Sequence, residues 1–383
     1  MPTLDFLYFD AGGGHRAAAT ALKHVIEQQQ RPWDVRLVNV QELLDALDVF
    51  RKLTGLRLQD IYNNMLKHGW TLGSTQLMRG MQAIIRMYHG PQVRLFESHW
   101  RESRPDVVVS FIPHFNRAIA ESLRNASPQT RFVTVITDLA DYPPHFWIER
   151  ESPYVVCGTE KAVEQAHSAG LGDERLFRAS GMIIQPRFYD PIHLDRAAHR
   201  QRLGLDPERP TGLVLFGGFG ASVMRDIVKQ LDGSGLDVQL ILICGRNEKL
   251  RKGIQNMKTR IPVFTEGFTR EVPYYMHLSD FFIGKPGPGS ISEALAMKLP
   301  VLLERNAWTL PQERYNADWV LERGVGLVVK SFRKEAAAAV GTLLEPGNFT
   351  RFRERAAAVE NRAVFEIADC LGMLLNQSAP LSE

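Results

Sequence analysis

Ten short, mostly apolar runs separated by helical patterns constrain this chain more than any other feature. Leu4–Phe9, Val35–Val40, Val107–Phe111, Phe132–Ile136 and Tyr154–Val156 occupy the first half. Leu213–Phe216, Val238–Ile243, Phe281–Ile283, Val301–Leu303 and Gly326–Val329 occupy the second. Runs this short, with little of the polar alternation of a half-exposed sheet, suit parallel strands covered on both faces by helices. Segments such as Ala17–Gln29 and Gln312–Arg323 supply the helices. The expected class is α/β, with two doubly wound, Rossmann-like domains facing across a cleft. A chain of 383 residues exceeds one ordinary core, which agrees with two. Pro186 and Pro191 interrupt the pattern around Met182–Pro191, which places the domains at 1–187 and 188–350. A helical tail, 351–383, is free to pack back on the first domain. Ligands of open α/β sheets bind outside the carboxyl ends of the strands, so function belongs in the loops that follow them.

Composition removes several classes. A net charge of +3 implies no nucleic-acid partner. The three cysteines, Cys157, Cys244 and Cys370, are far apart and lack metal-ligand spacing, which fits a reducing compartment. No His-x-x-x-His or paired-carboxylate spacing suggests a metal centre. The opening Met1–Asp5 shows no secretory pattern, and no apolar run reaches the ~20 residues that span a bilayer. A cytoplasmic protein is expected. Charge is uneven, however: between Val49 and Phe96 seven basic residues, including Arg79 and Arg86, stand against Asp60, giving 7 − 1 = +6. With Trp70 and several Met and Ile residues, this segment is either a membrane-surface element or an amphipathic helix pair with a solvated basic face.

Phe281–Glu293 is the most informative stretch. An apolar run ends in Gly284-Lys285-Pro286-Gly287-Pro288-Gly289, and a helix is expected to open with Ser290. A strand–turn–helix unit of this kind aims unpaired backbone N–H groups and a positive helix end at one point, a seat for phosphate. Glu293 in the first turn can reach sugar hydroxyls, although Ser290-Ile291-Ser292-Glu293 also reads as a capping box. Gln312-Glu313-Arg314-Tyr315-Asn316 follows the next strand. It offers amides and acids to a sugar, or is only a solvated helix start.

Three other loops are candidates. Asp10-Ala11-Gly12-Gly13-Gly14-His15-Arg16 follows the first strand. Its glycines admit close backbone approach, and His15 at a helix N-terminus is kept neutral, as a general base requires. The plainer reading is a His that merely caps the helix or bonds a loop carbonyl. Gly217-Gly218-Phe219-Gly220 can cradle phosphate but lacks the third glycine of a dinucleotide fingerprint, and Asp237 precedes its strand instead of ending it. Neither a nicotinamide cofactor nor an ATPase phosphate loop is indicated. In Thr137–Trp147, Asp138 either assists His15 or caps a turn before Pro143-Pro144, and His145 either meets a donor phosphate or is merely exposed.

Taken together and in order, these motifs resemble the monogalactosyldiacylglycerol synthase branch of the GT-B glycosyltransferases, near the peptidoglycan N-acetylglucosaminyltransferases. The segments that carry the likeness are Gly12–Ala17, Tyr62–Trp70, Thr137–Leu139, Cys244–Asn247, Glu266–Phe268 and Lys285–Gly289 with Ser290, Glu293, Gln312, Glu313 and Asn316. The resemblance implies inverting transfer of a hexose from a UDP-sugar to a lipid hydroxyl such as diacylglycerol, with no cofactor or obligatory metal. By position, His15 becomes the base, with Asp138 beside it. Gly267 and Phe268 hold uracil through the backbone, and Glu293 holds ribose. Gly14, Gly218, Gly220, Gly287, Gly289 and Ser290 serve the donor and its diphosphate, and Gln312 and Glu313 the sugar. Tyr62, Trp70, Arg79, Arg86 and His145 fall on the acceptor and membrane side, at an anionic inner membrane face. Leu310-Pro311 replaces the family's Pro-Gly before the Gln-Glu pair, and Pro143-Pro144-His145 departs from its His-Pro order. A UDP-sugar epimerase and a silent nucleotide- and membrane-binding protein are the alternatives.

Overall fold

The computed structural model of the chain describes residues 1–10, 14–44, 80, 82–83 and 85–376. They form two compact units. The first holds Met1–Pro186, Leu310–Gln312 and the chain from Asn361; the second holds Arg187–Thr309 and Glu313–Glu360.

The sheet of the first unit contains β1 (Thr3–Tyr8), β2 (Asp34–Asn39), β3 (Val107–Ser110), β4 (Arg131–Val135), β5 (Tyr154–Cys157) and β6 (Leu176–Arg178). Its order is β2-β1-β3-β4-β5-β6, parallel throughout. Leu4, Phe6 and Leu7 of β1 and Val107, Val108 and Val109 of β3 are all fully buried, so both faces are covered and the strands read as unbroken apolar runs. Helix Gly14–Gln28 turns Ala18, Leu22, Val25 and Ile26 inward at helical spacing.

The second sheet contains β7 (Thr211–Leu215), β8 (Gln239–Ile243), β9 (Val263–Glu266), β10 (Phe281–Gly284), β11 (Val301–Glu304) and β12 (Gly326–Val329). Its order is β12-β11-β10-β7-β8-β9, again parallel. Helices Val223–Asp232 and Phe332–Leu344 pack together over one face with Val214, Leu240, Leu242 and Phe281. The two doubly wound sheets agree with the expected class.

Two strands were not expected, β6 and β9. Both are short edge strands, ending in Arg178 and in Thr265-Glu266, so neither carries more than two apolar residues in a row. The tail divides. Helix Pro346–Ala357 belongs to the second unit, whereas helix Ala363–Asn376 packs on helix Gly14–Gln28 of the first. Asn361 fixes this return: its Nδ2 donates to the Met182 carbonyl (2.9 Å) and its Oδ1 caps Ala363 N–H (3.1 Å). Among the described residues no helix is long and apolar enough to cross a membrane.

Candidate active site

Each sheet has one place where strand order reverses. In the second it lies between β7 and β10, which pair directly through Leu215 and Gly284. The loops leaving these strands are Phe216–Ser222 and Lys285–Gly287, the two glycine-rich segments singled out above. Reversal points of open α/β sheets leave a crevice at the strand ends.

Glycine has different work at different positions there. A Cβ on Gly220 (φ +58°) would sit 2.8 Å from the Cys244 carbonyl oxygen, and one on Gly245 (φ +60°) 2.3 Å from that of Gly218. These two glycines let the loops after β7 and β8 press together, a contact closed by Arg246 N–H donating to the Gly218 carbonyl (2.8 Å). Gly218 and Gly289 instead have open space where a side chain would be. Backbone there is open to a ligand.

The helix after β10 begins at Pro288, two residues before Ser290, with Gly287 as its N-cap and no side-chain cap. Proline suits this first position because its missing N–H would lack a partner anyway. Ser290 is therefore the third helical residue, and the capping-box reading of Ser290 and Glu293 does not hold. The unpaired N–H groups of Gly289 and Ser290 face the helix start. Glu293, a turn further in, has its carboxyl pushed up to about 8 by burial. Lys285 Nζ donates to Glu313 Oε1 (2.7 Å), and its stem reaches within 3.5 Å of a Cβ position on Gly287. Buried Asn316 donates from Nδ2 to the Pro286 carbonyl (2.8 Å), tying the turn to helix Arg314–Arg323. Gln312 lies in the short turn Pro311–Glu313, beside Glu313.

At the end of β9, Glu266 holds its own loop. Its Oε1 accepts from Gly267 N–H (2.7 Å) and its Oε2 from the Tyr275 hydroxyl (2.6 Å). The Gly267 N–H is thus engaged within the loop. Phe268 is exposed, with the Arg246 guanidinium 4.7 Å from its ring centre.

In the first sheet strand order reverses between β1 and β3, paired through Leu7 and Ser110. His15 follows β1 as the second residue of its helix, directly after Gly14, which has open space beside it. The His15 ring hydrogen-bonds the Phe111 carbonyl just beyond β3, and its Nδ1 lies 3.4 Å from Thr137 Oγ1. Burial lowers its pKa to about 4, so the ring is neutral near pH 7. Trp147 tilts against it, with ring centres 5.7 Å apart. Three groups pin that Trp: Asp138 Oδ2 accepts from its Nε1 (2.9 Å), Asp141 Oδ1 from its N–H (2.7 Å), and its carbonyl accepts from Asn116 Nδ2 (2.9 Å). Asp138 thus meets His15 through the indole it holds. Burial raises the Asp141 carboxyl to about 6 despite these N–H groups.

His145 is exposed, with its N–H given to Asp141 Oδ2 (3.0 Å). Arg86 is exposed as well, whereas Tyr62, Trp70 and Arg79 lie outside the described residues. Trp147, Asp141 and Lys285 were not assigned roles from sequence, although each sits inside or beside a quoted motif. A fourth, His114, carried only one signal: it follows the end of an apolar run.

Residues 15–183 match the family described as "Monogalactosyldiacylglycerol (MGDG) synthase", and residues 213–335 match "Glycosyltransferase family 28 C-terminal domain". Monogalactosyldiacylglycerol synthase 2, chloroplastic, of Arabidopsis thaliana is 30% identical over 399 residues, covering 98% of this chain and 81% of that protein. The chain belongs to the monogalactosyldiacylglycerol synthase family. The Spinacia oleracea synthase is 28% identical, covering 97% of this chain and 72% of its own length. Among solved structures, Acinetobacter baumannii MurG superposes with TM-score 0.62 at 11% identity, over 97% of this chain and all of that one. Neisseria meningitidis UDP-GlcNAc 2-epimerase bound to UDP-GlcNAc gives 0.60 at 14%, over 98% and 100%. The fold is thus GT-B, which transferases and epimerases share, and family membership makes this member a glycosyltransferase.

Proposed function

We propose that this enzyme transfers galactose from UDP-galactose to the free hydroxyl of diacylglycerol, with inversion at the anomeric carbon and without a metal. The observation that carries this reading is a neutral, oriented His15 at the strand-order reversal of the first sheet, in a chain whose family is named for that product. His15 takes the hydroxyl proton; the oxygen bonds the anomeric carbon as its bond to the diphosphate breaks, and UDP leaves. The Phe111 carbonyl fixes which ring nitrogen carries a proton at rest, leaving the other free to accept one. Open backbone at Gly218 and Gly289, the helix start at Pro288 and the Lys285 ammonium offer positive charge to the departing diphosphate, the kind of preorganised stabilisation that often dominates catalysis. The Phe268 backbone takes uracil, Glu293 ribose, and Gln312 and Glu313 the sugar. The basic segment 49–96 holds the enzyme peripherally on an anionic membrane face.

UDP release on mixing UDP-sugars with lipids tests the reading. His15→Ala should lower kcat by about 10²–10⁴, the range of general-base assistance, with UDP affinity within about twofold. Turnover near that of the parent enzyme removes His15 as base. An epimerase would interconvert sugars without lipid, and a silent binder would release no UDP from any pair.

A further inference from the structure

His114 stands four residues beyond β3, across the same strand-order reversal as His15. Its backbone is left-handed (φ +71°), held there by its N–H donating to the Phe146 carbonyl (2.7 Å). Non-glycine residues in this region are uncommon, and such conformations cluster at functional sites. Its ring packs edge-on to Phe146 at 4.3 Å between centres, while the next residue, Trp147, packs on His15. One clamped dipeptide therefore braces both histidines. The Phe111 carbonyl that orients His15 begins the short segment that ends in His114. Yet His114 Nε2 is enclosed and has no hydrogen-bond partner among the described residues. Buried polar atoms in native proteins are nearly always paired, so an unpaired one calls for an explanation.

The surroundings select the missing partner. Burial, with the Arg86 guanidinium nearby, holds the His114 ring neutral, with a pKa of about 4. In the tautomer that carries its proton on Nε2, this neutral ring against an aromatic wall suits an uncharged carbonyl oxygen better than a phosphate. The acceptor's reacting hydroxyl gives its proton to His15, so a second donor belongs on a neighbouring oxygen that only accepts. We propose that His114 Nε2–H binds an ester carbonyl of the glycerolipid and thereby orients the hydroxyl toward His15. This assignment rests on the diacylglycerol reading above.

The experiment compares a 1,2-diacylglycerol with its dialkyl ether analogue, which lacks the carbonyls. Each is assayed with the parent enzyme and with His114→Asn, since Asn tolerates the left-handed backbone. The parent should show a KM about tenfold higher for the ether, equivalent to about 1.4 kcal/mol. His114→Asn should raise the ester KM about tenfold and bring the ester-to-ether ratio near one, with UDP affinity unchanged. A merely structural role would weaken both lipids alike and leave the ratio as it was. Equal KM values in the parent, or a ratio that survives the substitution, overturn the assignment while leaving His15 as base. A parent enzyme inert to both lipids overturns the acceptor class and this assignment with it. Should His114→Asn fold poorly, His114→Gly relieves the backbone and reports the same ratio.

Discussion

Glu293→Gln should make the enzyme more stable and worse at holding UDP. The folded carboxyl sits at about 8 against an ordinary 4.5, because burial disfavours the charge. A carboxyl raised on folding contributes its full stability below the ordinary value and loses it as pH rises toward the folded one. The loss is about 1.4 kcal/mol per pH unit across that window. At pH 7.5 it accumulates over about three units, roughly 4 kcal/mol; residual contact of the carboxyl with water reduces this to about 2 kcal/mol. Gln keeps the shape and has no proton to lose, so the variant escapes the loss. For a unit of this size about 2 kcal/mol corresponds to roughly 4–8 °C in Tm. Calorimetry should therefore find Glu293→Gln and the parent nearly equal at pH 5 and separated by that amount at pH 7.5. UDP affinity should fall about tenfold, as expected when Gln leaves one acceptor oxygen where the carboxyl offered two to the ribose hydroxyls. Parallel Tm curves for the two proteins from pH 5 to pH 8 would refute the burial argument. Unchanged UDP affinity would refute the ribose contact. A gain in stability with a loss of binding is the usual trade-off of a site built for a ligand.

The acid limb of kcat/KM should lie well below the ordinary histidine value of about 6.5, toward pH 4–5, because burial depresses His15 and keeps the base free at lower pH; a limb at 6.5 contradicts its enclosure. Lys285→Met leaves the Glu313 carboxylate, only 10% exposed, without its cation. Tm should fall by a few degrees and UDP affinity drop, and adding Glu313→Gln should restore Tm but not affinity. Asp138→Ala removes the acceptor of the Trp147 indole and loosens the wall against which His15 rests. Turnover should fall about tenfold with UDP affinity intact, read by steady-state kinetics and calorimetry.

Strand content was legible wherever both faces of a strand are buried, because a parallel core strand must be apolar along its whole length. β3 and β8 are such cases. It failed at β6 and β9, short edge strands that end in Arg178 and in Thr265-Glu266 and so offer only two apolar residues in a row. Local chemistry also misplaced one helix start: Ser290 and Glu293 have the spacing of a capping box, yet Pro288 begins the helix and frees Glu293. The sequence could show a glycine but not its purpose. Gly220 and Gly245 serve loop packing, while Gly218 and Gly289 are open, because the distinction depends on what another loop brings near.

By itself the sequence determined the two α/β units, the glycine-rich strand-to-helix turn at 285–290 and His15 at a helix start, since each follows from residues close together in the chain. Strand order, and with it the two reversal points, was decided by the tertiary structure, as were the unpaired Nε2 of His114, the neutral Glu293 and the burial that reinforces the neutral His15 expected at a helix start. Those properties arise from contacts between residues tens or hundreds of positions apart and from the exclusion of water they produce together, which no local pattern encodes.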